Sequence, residues 1–227
     1  MIAGVIGVLA LVGLWITLPK LKPTRAANLA DLMEVAIRPR ALVVLVSVLV
    51  VISGHFASFT YIRPVLEQVA HLDVAAISLV LLAFGCAGFI GNFVGAFLAE
   101  RDPKLAIIGG SALMAASMAG LVLFGASPWL AGLALMLWGM AFAALPVGFQ
   151  AWMVTDVPDR PELGGGLLTA AFQVAIATGA VAGGLLVDRF GVLSGAIYCG
   201  AAAAAGFCLV LGLRRHRAVR DAACYAA

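Results

Sequence analysis

The chain has 227 residues, 64% of them hydrophobic and 11% charged, with a net charge of +3. A soluble domain of this length would be about one quarter charged, so the chain cannot cover its own surface in water and lipid must be its solvent. The small positive excess, scattered between apolar runs, excludes a nucleic-acid reader. Four cysteines with no C-x-x-C pair give neither a disulfide framework nor a metal site.

A membrane-crossing helix needs roughly 20 mostly apolar residues. Seven runs qualify, approximately 2–19, 41–62, 75–99, 104–125, 129–154, 165–187 and 191–213. None shows the ten-residue alternation of a membrane barrel strand. The first run, "IAGVIGVLALVGLWITLP", lacks the charged start and the small-residue cleavage site of a signal peptide. A helix that begins at Met1 reads as a cut through a longer protein. Residues 20–40 form a polar connection.

The second run carries "SGHFASFTYIRPVLEQV" at 53–69. Ionisable groups in lipid cost about 2.5–3.5 kcal/mol on insertion scales, so they face a cavity or a partner. His55 falls near mid-membrane and is a candidate cavity residue, able to bond a substrate or change charge near neutral pH. Phe56 and Thr60 join it on the candidate wall, one helical step apart. Tyr61 and Arg63 read as interfacial anchors. The third run holds Ala87, Gly91 and Gly95 at four-residue spacing, the small-xxx-small pattern of close helix packing. Asn92 among them reads as structural. Glu100, Arg101 and Lys104 follow at the next connection.

The fifth run places Trp138, Phe142, Pro146 and Gln150 on or beside one face. Pro146 removes a backbone bond and predicts a bend. Asp156 and Glu162, in the polar connection that follows, read as caps and turn residues. The sixth run offers Thr169, Phe172, Gln173 and Thr178. Gln173 is its one long polar side chain, and an amide that donates and accepts suits a neutral polyol or a nucleobase. Gly179, Gly183 and Gly184 continue the packing pattern. The seventh run ends in the tail 214–227, which opens "RRHRAVR". All eleven acids fall in connections or at helix ends. His55 is therefore the one candidate for a buried proton carrier.

Charge bias sets the orientation. With residue 1 outside and the tail inside, the inner segments hold Lys20, Lys22, Arg25, Arg38, Arg40, Arg101, Lys104, Arg160, Arg214, Arg215, Arg217 and Arg220. The outer ones hold Arg63 and Arg189. Residues 96–103, "AFLAERDP", and 184–191, "GLLVDRFG", both run small, x, Leu, x, acid, Arg at an offset of 88. The same offset carries the span near 41 onto that near 129. Spans two to four and five to seven thus read as two three-helix copies inserted in opposite orientation, an arrangement typical of secondary transporters.

On "GHFASFTYIRPVLE", "LVLLAFGCAGFIGNFVGAFLAERD", "WGMAFAALPVGFQAW" and "AAFQVAIATGAVAGGLLVDRFG", the chain resembles the C-terminal half of a major facilitator superfamily transporter. More narrowly, it is similar to the drug and metabolite proton-antiporter branch, which holds arabinose-type sugar efflux proteins and a purine ribonucleoside efflux pump. "TYIRPV" and "ALPVGFQ" look closest to the latter. The resemblance implies an all-α membrane fold: residues 1–19 as family helix six, 20–40 as the central cytoplasmic loop, 41–213 as the six-helix C-terminal bundle, and 214–227 as a cytoplasmic tail. It implies a multi-pass protein of a bacterial inner membrane that exports a small polar metabolite or drug by proton-coupled alternating access. No cofactor or metal is implied, and no enzyme activity. The partners implied are the bilayer, substrate, protons, and either the missing N-terminal half or a second copy. Glu100, Arg101 and Lys104 occupy the family's gating-loop motif G-x-L-A-D-R-x-G, where Ala96, Glu100 and Pro103 depart from its Gly, Asp and Gly. A seven-helix receptor and an inactive truncated fragment are the alternatives. A retinal-type sensor fails for want of a lysine in the last helix, and no H-E-x-x-H, G-x-S-x-G or P-loop marks an enzyme.

Overall fold

The computed structural model describes residues 2–17 and 28–225. The expected positions Lys20, Lys22 and Arg25, and the end of the first run at 18–19, lie outside them. The described residues are helical, in the order α1 (Ile2–Thr17), α2 (Leu29–Ala36), α3 (Pro39–Phe59), α4 (Ile62–Gln68), α5 (Val74–Arg101), α6 (Pro103–Phe124), α7 (Pro128–Asp156), α8 (Pro161–Phe190) and α9 (Ser194–Tyr225). Among the described residues, six helices are long and apolar enough to cross a membrane, against the seven expected. The seventh expected run, 2–19, is described only over the 16 residues of α1, and its remainder lies outside the described residues.

Proline and capping residues set the boundaries. α3, α6, α7 and α8 each start with proline in the first turn, where its missing N–H costs no helical bond. Asp73 caps α5 by accepting the Ala76 N–H at 2.8 Å, and Asp102 caps α6 through the Lys104 N–H at 3.0 Å. The second apolar run is not one helix to residue 62. Pro64 cannot donate to the carbonyl of Thr60 and its ring crowds that carbonyl. The ladder stops at Phe59, and the chain resumes as the separate α4. The connection at 20–40, read as simply polar, contains α2. Its start is marked by the Asn28 N–H donating to the Asp31 carboxylate at 3.4 Å.

The packing has the symmetry of the repeat. α5 of the first unit packs along α7, and α8 of the second packs along α3. α6 packs on α7 as α9 does on α3, and α6 and α9 meet each other. Each unit therefore lends its middle helix to the first helix of the other. The units are inverted. α3 starts beside Arg38, which pairs with Asp159 just beyond the end of α7, so α3 and α7 run in opposite directions.

Glycine makes these pairings close. A Cβ on Gly91 would fall 2.0 Å from the Met140 carbonyl oxygen, and one on Gly95 2.6 Å from the Ala144 Cα. The equivalents Gly179 and Gly183, each 88 residues on, lie against Ser53 and Ala57 in the same way, at 2.4 Å and 2.3 Å from their carbonyl oxygens. In lipid there is little hydrophobic drive between helices, so backbone contact at small residues carries the association. The partners Met140 and Ala144 stand 87 residues after Ser53 and Ala57. The offset is thus 88 for the middle helices and 87 for the first ones.

Candidate functional site

At the centre of the bundle the side chain of His55 is buried, 1% exposed. It is the only Asp, Glu, Lys, Arg or His among the buried described residues. α3 delivers it from a stretch of small residues, Ser53, Gly54, Ala57 and Ser58, that lets α8 and α9 approach. A shell of aromatic rings encloses it. Phe142 stacks on the imidazole with centroids 3.5 Å apart and planes 5° apart. Phe59 stacks at 5.4 Å, while Phe56 and Trp138 meet the ring edge-on at 4.9 and 5.2 Å. The Trp138 indole N–H donates to His55 Nδ1 at 3.1 Å. An accepting Nδ1 places the proton of the neutral ring on Nε2.

At the offset of 87, His55 and Phe142 are equivalent positions of the two units. Their rings stack where the two first helices cross. Pro146 of α7 has no N–H to give the Phe142 carbonyl four residues earlier, so the residue stacked on His55 is also the one whose helical bond is missing. α7 nevertheless continues through Pro146 to Asp156.

Toward the Arg38 end, the seam between α7 and α8 opens into a groove of about 250 Å³ lined by Gln150, Met153, Val154, Gly165, Leu168, Thr169 and Phe172. Phe172 meets Phe149 edge-on at 6.3 Å. Gln150 and Gln173 are exposed on these spans, and neither amide has a hydrogen-bond partner among the described residues. The hydroxyls of Thr60, Thr169 and Thr178 turn back onto the carbonyls of Phe56, Gly165 and Val174 at 2.7, 2.9 and 2.7 Å. Trp138 is wholly buried against His55, and Phe56 and Phe142 are half-buried. In this conformation the central group is a closed knot of rings, and the open polar surface belongs to Gln150, Thr169 and Gln173. Asn92, read as structural, is exposed on α5 with no hydrogen bond among the described residues. It is a candidate the sequence reading set aside, although an amide within a span was the signal.

The loop residues gather at one end of the bundle. Glu100 is exposed with no ion pair among the described residues. Arg101 lies over the Phe97 ring at 4.5 Å, and Lys104 over the Trp152 ring at 5.2 Å. Trp152 in turn donates to Asp156 at 2.9 Å. The acid that pairs is Asp102, whose carboxylate meets Arg214 of α9 at 2.9 Å while capping α6. Nearby, Arg38 bonds Asp159 at 2.8 Å and Glu34 at 3.0 Å, and Arg160 bonds Asp31 at 3.1 Å. The hydrogen bond from Arg38 holds the Asp159 carboxyl below its ordinary value, and the bonds that Arg38 donates to Asp159 and Glu34 raise its guanidinium. These pairs bind α2 to the α7–α8 connection. At the other end, the Tyr61 hydroxyl donates to the Ala180 carbonyl of α8 at 3.2 Å. A Cβ on Gly184 would lie 2.5 Å from that hydroxyl oxygen.

Comparison with known proteins gives the context. A family model, described as Major Facilitator Superfamily, matches residues 1–161. The chain is 35% identical over 192 residues to the "Purine ribonucleoside efflux pump NepI" of Salmonella typhimurium, and equally to those of Salmonella typhi and Salmonella enteritidis. In each case the match covers 85% of this chain and 48% of the relative. The chain thus spans about half the length of the curated relatives it matches.

Proposed function

Because the chain belongs to the major facilitator superfamily, we propose that it forms the C-terminal half of a secondary transporter exporting a small polar metabolite or drug by alternating access, driven by protons. The observation that carries this reading is the pair of exposed, unpartnered amides, Gln150 and Gln173, on the spans α7 and α8. In hydrocarbon each would forfeit its hydrogen bonds; beside a water-filled cavity each can meet substrate. The similarity to purine ribonucleoside efflux pumps supports a substrate with a planar, hydrogen-bonding ring, for which an amide and the Phe172 face are suited.

His55 is the proposed proton carrier. Protonation of Nδ1 turns the acceptor of the Trp138 bond into a donor, so that bond exists only with the neutral ring. A proton arriving there releases Trp138 and leaves a cation against Phe142, on the helix that contains Pro146. Rings facing a cation hold it by their quadrupole. The missing helical bond at Pro146 and the glycine contacts at Gly91, Gly95, Gly179 and Gly183 supply the hinge and the surfaces over which rigid helices rock. Glu100, Arg101 and Lys104 belong to the proposed gate at the basic end, with Asp102 as its pairing acid. In this reading that end faces the cytoplasm of a bacterial inner membrane, and an N-terminal half or a second copy completes the cavity.

The test is transport by proteoliposomes holding this chain with the N-terminal half of a relative. They are loaded with a radiolabelled purine ribonucleoside under an imposed pH gradient. Gradient-driven movement that a protonophore abolishes is the expected result, with Gln173→Leu weakening substrate exchange. His55→Gln is expected to keep exchange and lose the response to the gradient. Transport indifferent to pH would remove the proton carrier. No exchange of this nucleoside or of a panel of polar metabolites would leave the inactive-fragment alternative.

A further inference from the structure

The short helix α2 has two unlike faces, and only one is occupied. Asp31 and Glu34 bind Arg160, and Glu34 also binds Arg38. Val35 beside them is wholly buried in the core. The other face carries Leu29 and Met33, with Ile37 following at the C-cap. These are 77%, 68% and 71% exposed and spaced four residues apart. Such a stripe would be costly in water, yet α2 is separated from the start of the α3 span by only Ile37 and Arg38. Its depth is therefore set at the boundary of the bilayer. The next exposed large apolar residues along the chain, Leu42, Val46 and Val50, repeat the four-residue spacing along α3. The exposed apolar residues of α2 are thus followed directly in the chain by those of a membrane-spanning helix.

Charge points the same way. Both acids of α2 are paired inward, so they set no unpaired negative charge against a phosphate surface. Arg40, one turn into the junction, is exposed. A helix with paired charges on one side and a bare apolar stripe on the other lies in the interface plane with that stripe in the acyl boundary.

We propose that α2 is a membrane-interface helix, its Leu29–Met33–Ile37 stripe seated in the lipid headgroup and acyl boundary while its acidic face ties the α7–α8 connection to that surface. The inference rests on residence in a bilayer and not on the efflux reading, so it survives if transport fails.

The test is depth measurement by spin labelling in phospholipid vesicles that include anionic lipid. Cys86, Cys199, Cys208 and Cys224 are replaced by alanine, and a single label is placed through Met33→Cys. Leu29→Cys is a second site should the first disturb assembly, and Glu162→Cys is the aqueous reference. The expected result is collision with oxygen several-fold above that at Glu162, with collision with a water-soluble nickel chelate several-fold below it. A label as open to the chelate as that at Glu162 would place the stripe in water and overturn the proposal. A label shielded from both would mean that protein covers the stripe, a second copy or another half, and would overturn it equally.

Discussion

Replacing Gly91 by alanine is the sharpest test of the backbone contact between α5 and α7. The added methyl would stand 2.0 Å from the Met140 carbonyl oxygen and 2.7 Å from the Met140 Cα and carbonyl carbon. All three are backbone atoms of a helix, so no side chain can rotate away and α5 must move off α7 as a unit. Overpacking of this kind costs about 1–3 kcal/mol. Against it stands the usual gain of alanine over glycine inside a helix, roughly 0.5–1 kcal/mol. The clash wins, by about 1–2 kcal/mol in net terms. For a chain of this length, about 2–4 °C accompanies each kcal/mol, giving a fall in Tm of several degrees. Cys199 provides the assay, since it is wholly buried and reacts with a maleimide dye only on unfolding once the exposed Cys86 and Cys208 and Cys224 are replaced. Gly179→Ala, its repeat equivalent against Ser53, is expected to fall by a similar amount. Gly120→Ala, with nothing within 4 Å of the new methyl, is expected to rise slightly. A Gly91→Ala protein melting at or above Gly120→Ala would refute the argument from contact.

The other predictions concern polar contacts. Trp138→Phe leaves the buried Nδ1 of His55 without a donor and is expected to cost about 1–2 kcal/mol; adding His55→Phe removes the stranded acceptor, so the double variant should melt higher than the single one. Gly184→Ala drives the Tyr61 hydroxyl off Ala180, and Tyr61→Phe should recover part of that loss, read as a coupling in a double-mutant cycle. If the two changes add independently, the contact contributes nothing. The Asp159 carboxyl is held below its ordinary value by Arg38. Its stabilisation is therefore fully present above the unfolded carboxylate range and is lost as pH falls through the lower folded value. Asp159→Asn should remove that acid-range sensitivity and leave the pH 6–8 dependence unchanged, measured by protease cleavage of the α7–α8 connection.

The spans and their inversion were legible because lipid demands long apolar runs and a charge bias. Helix pairs were not. Trp138 and His55 lie 83 positions apart, and a face count put both on a cavity wall without showing that they bond each other. The repeat was visible at an offset of 88 through "AFLAER" and "GLLVDR", whereas the 87-residue offset of α3 and α7 needed their glycine partners in space. Proline explains one boundary surprise. Pro64 splits the second run into α3 and α4, while Pro146 lies within α7, inside the single run read at 129–154. α2 escaped notice because eight residues with six apolar and two acidic side chains carry too little periodicity to stand out in a polar connection. Asp102 was overlooked beside Glu100 and Arg101, since nothing in an acid–base string says which acid faces Arg214.

The stack of His55 on Phe142 has a consequence for counting. Positions related by an inverted repeat ordinarily come in twos, so a duplicated unit offers two copies of any group it carries. Where the two copies touch, that doubling becomes a conflict. A histidine at both positions would set two imidazoles face to face at the present 3.5 Å, and the second could take a proton only against the charge of the first. With phenylalanine on one side, the two equivalent positions hold one ionisable ring instead of two, and the doubled unit meets itself there without a pair of like groups.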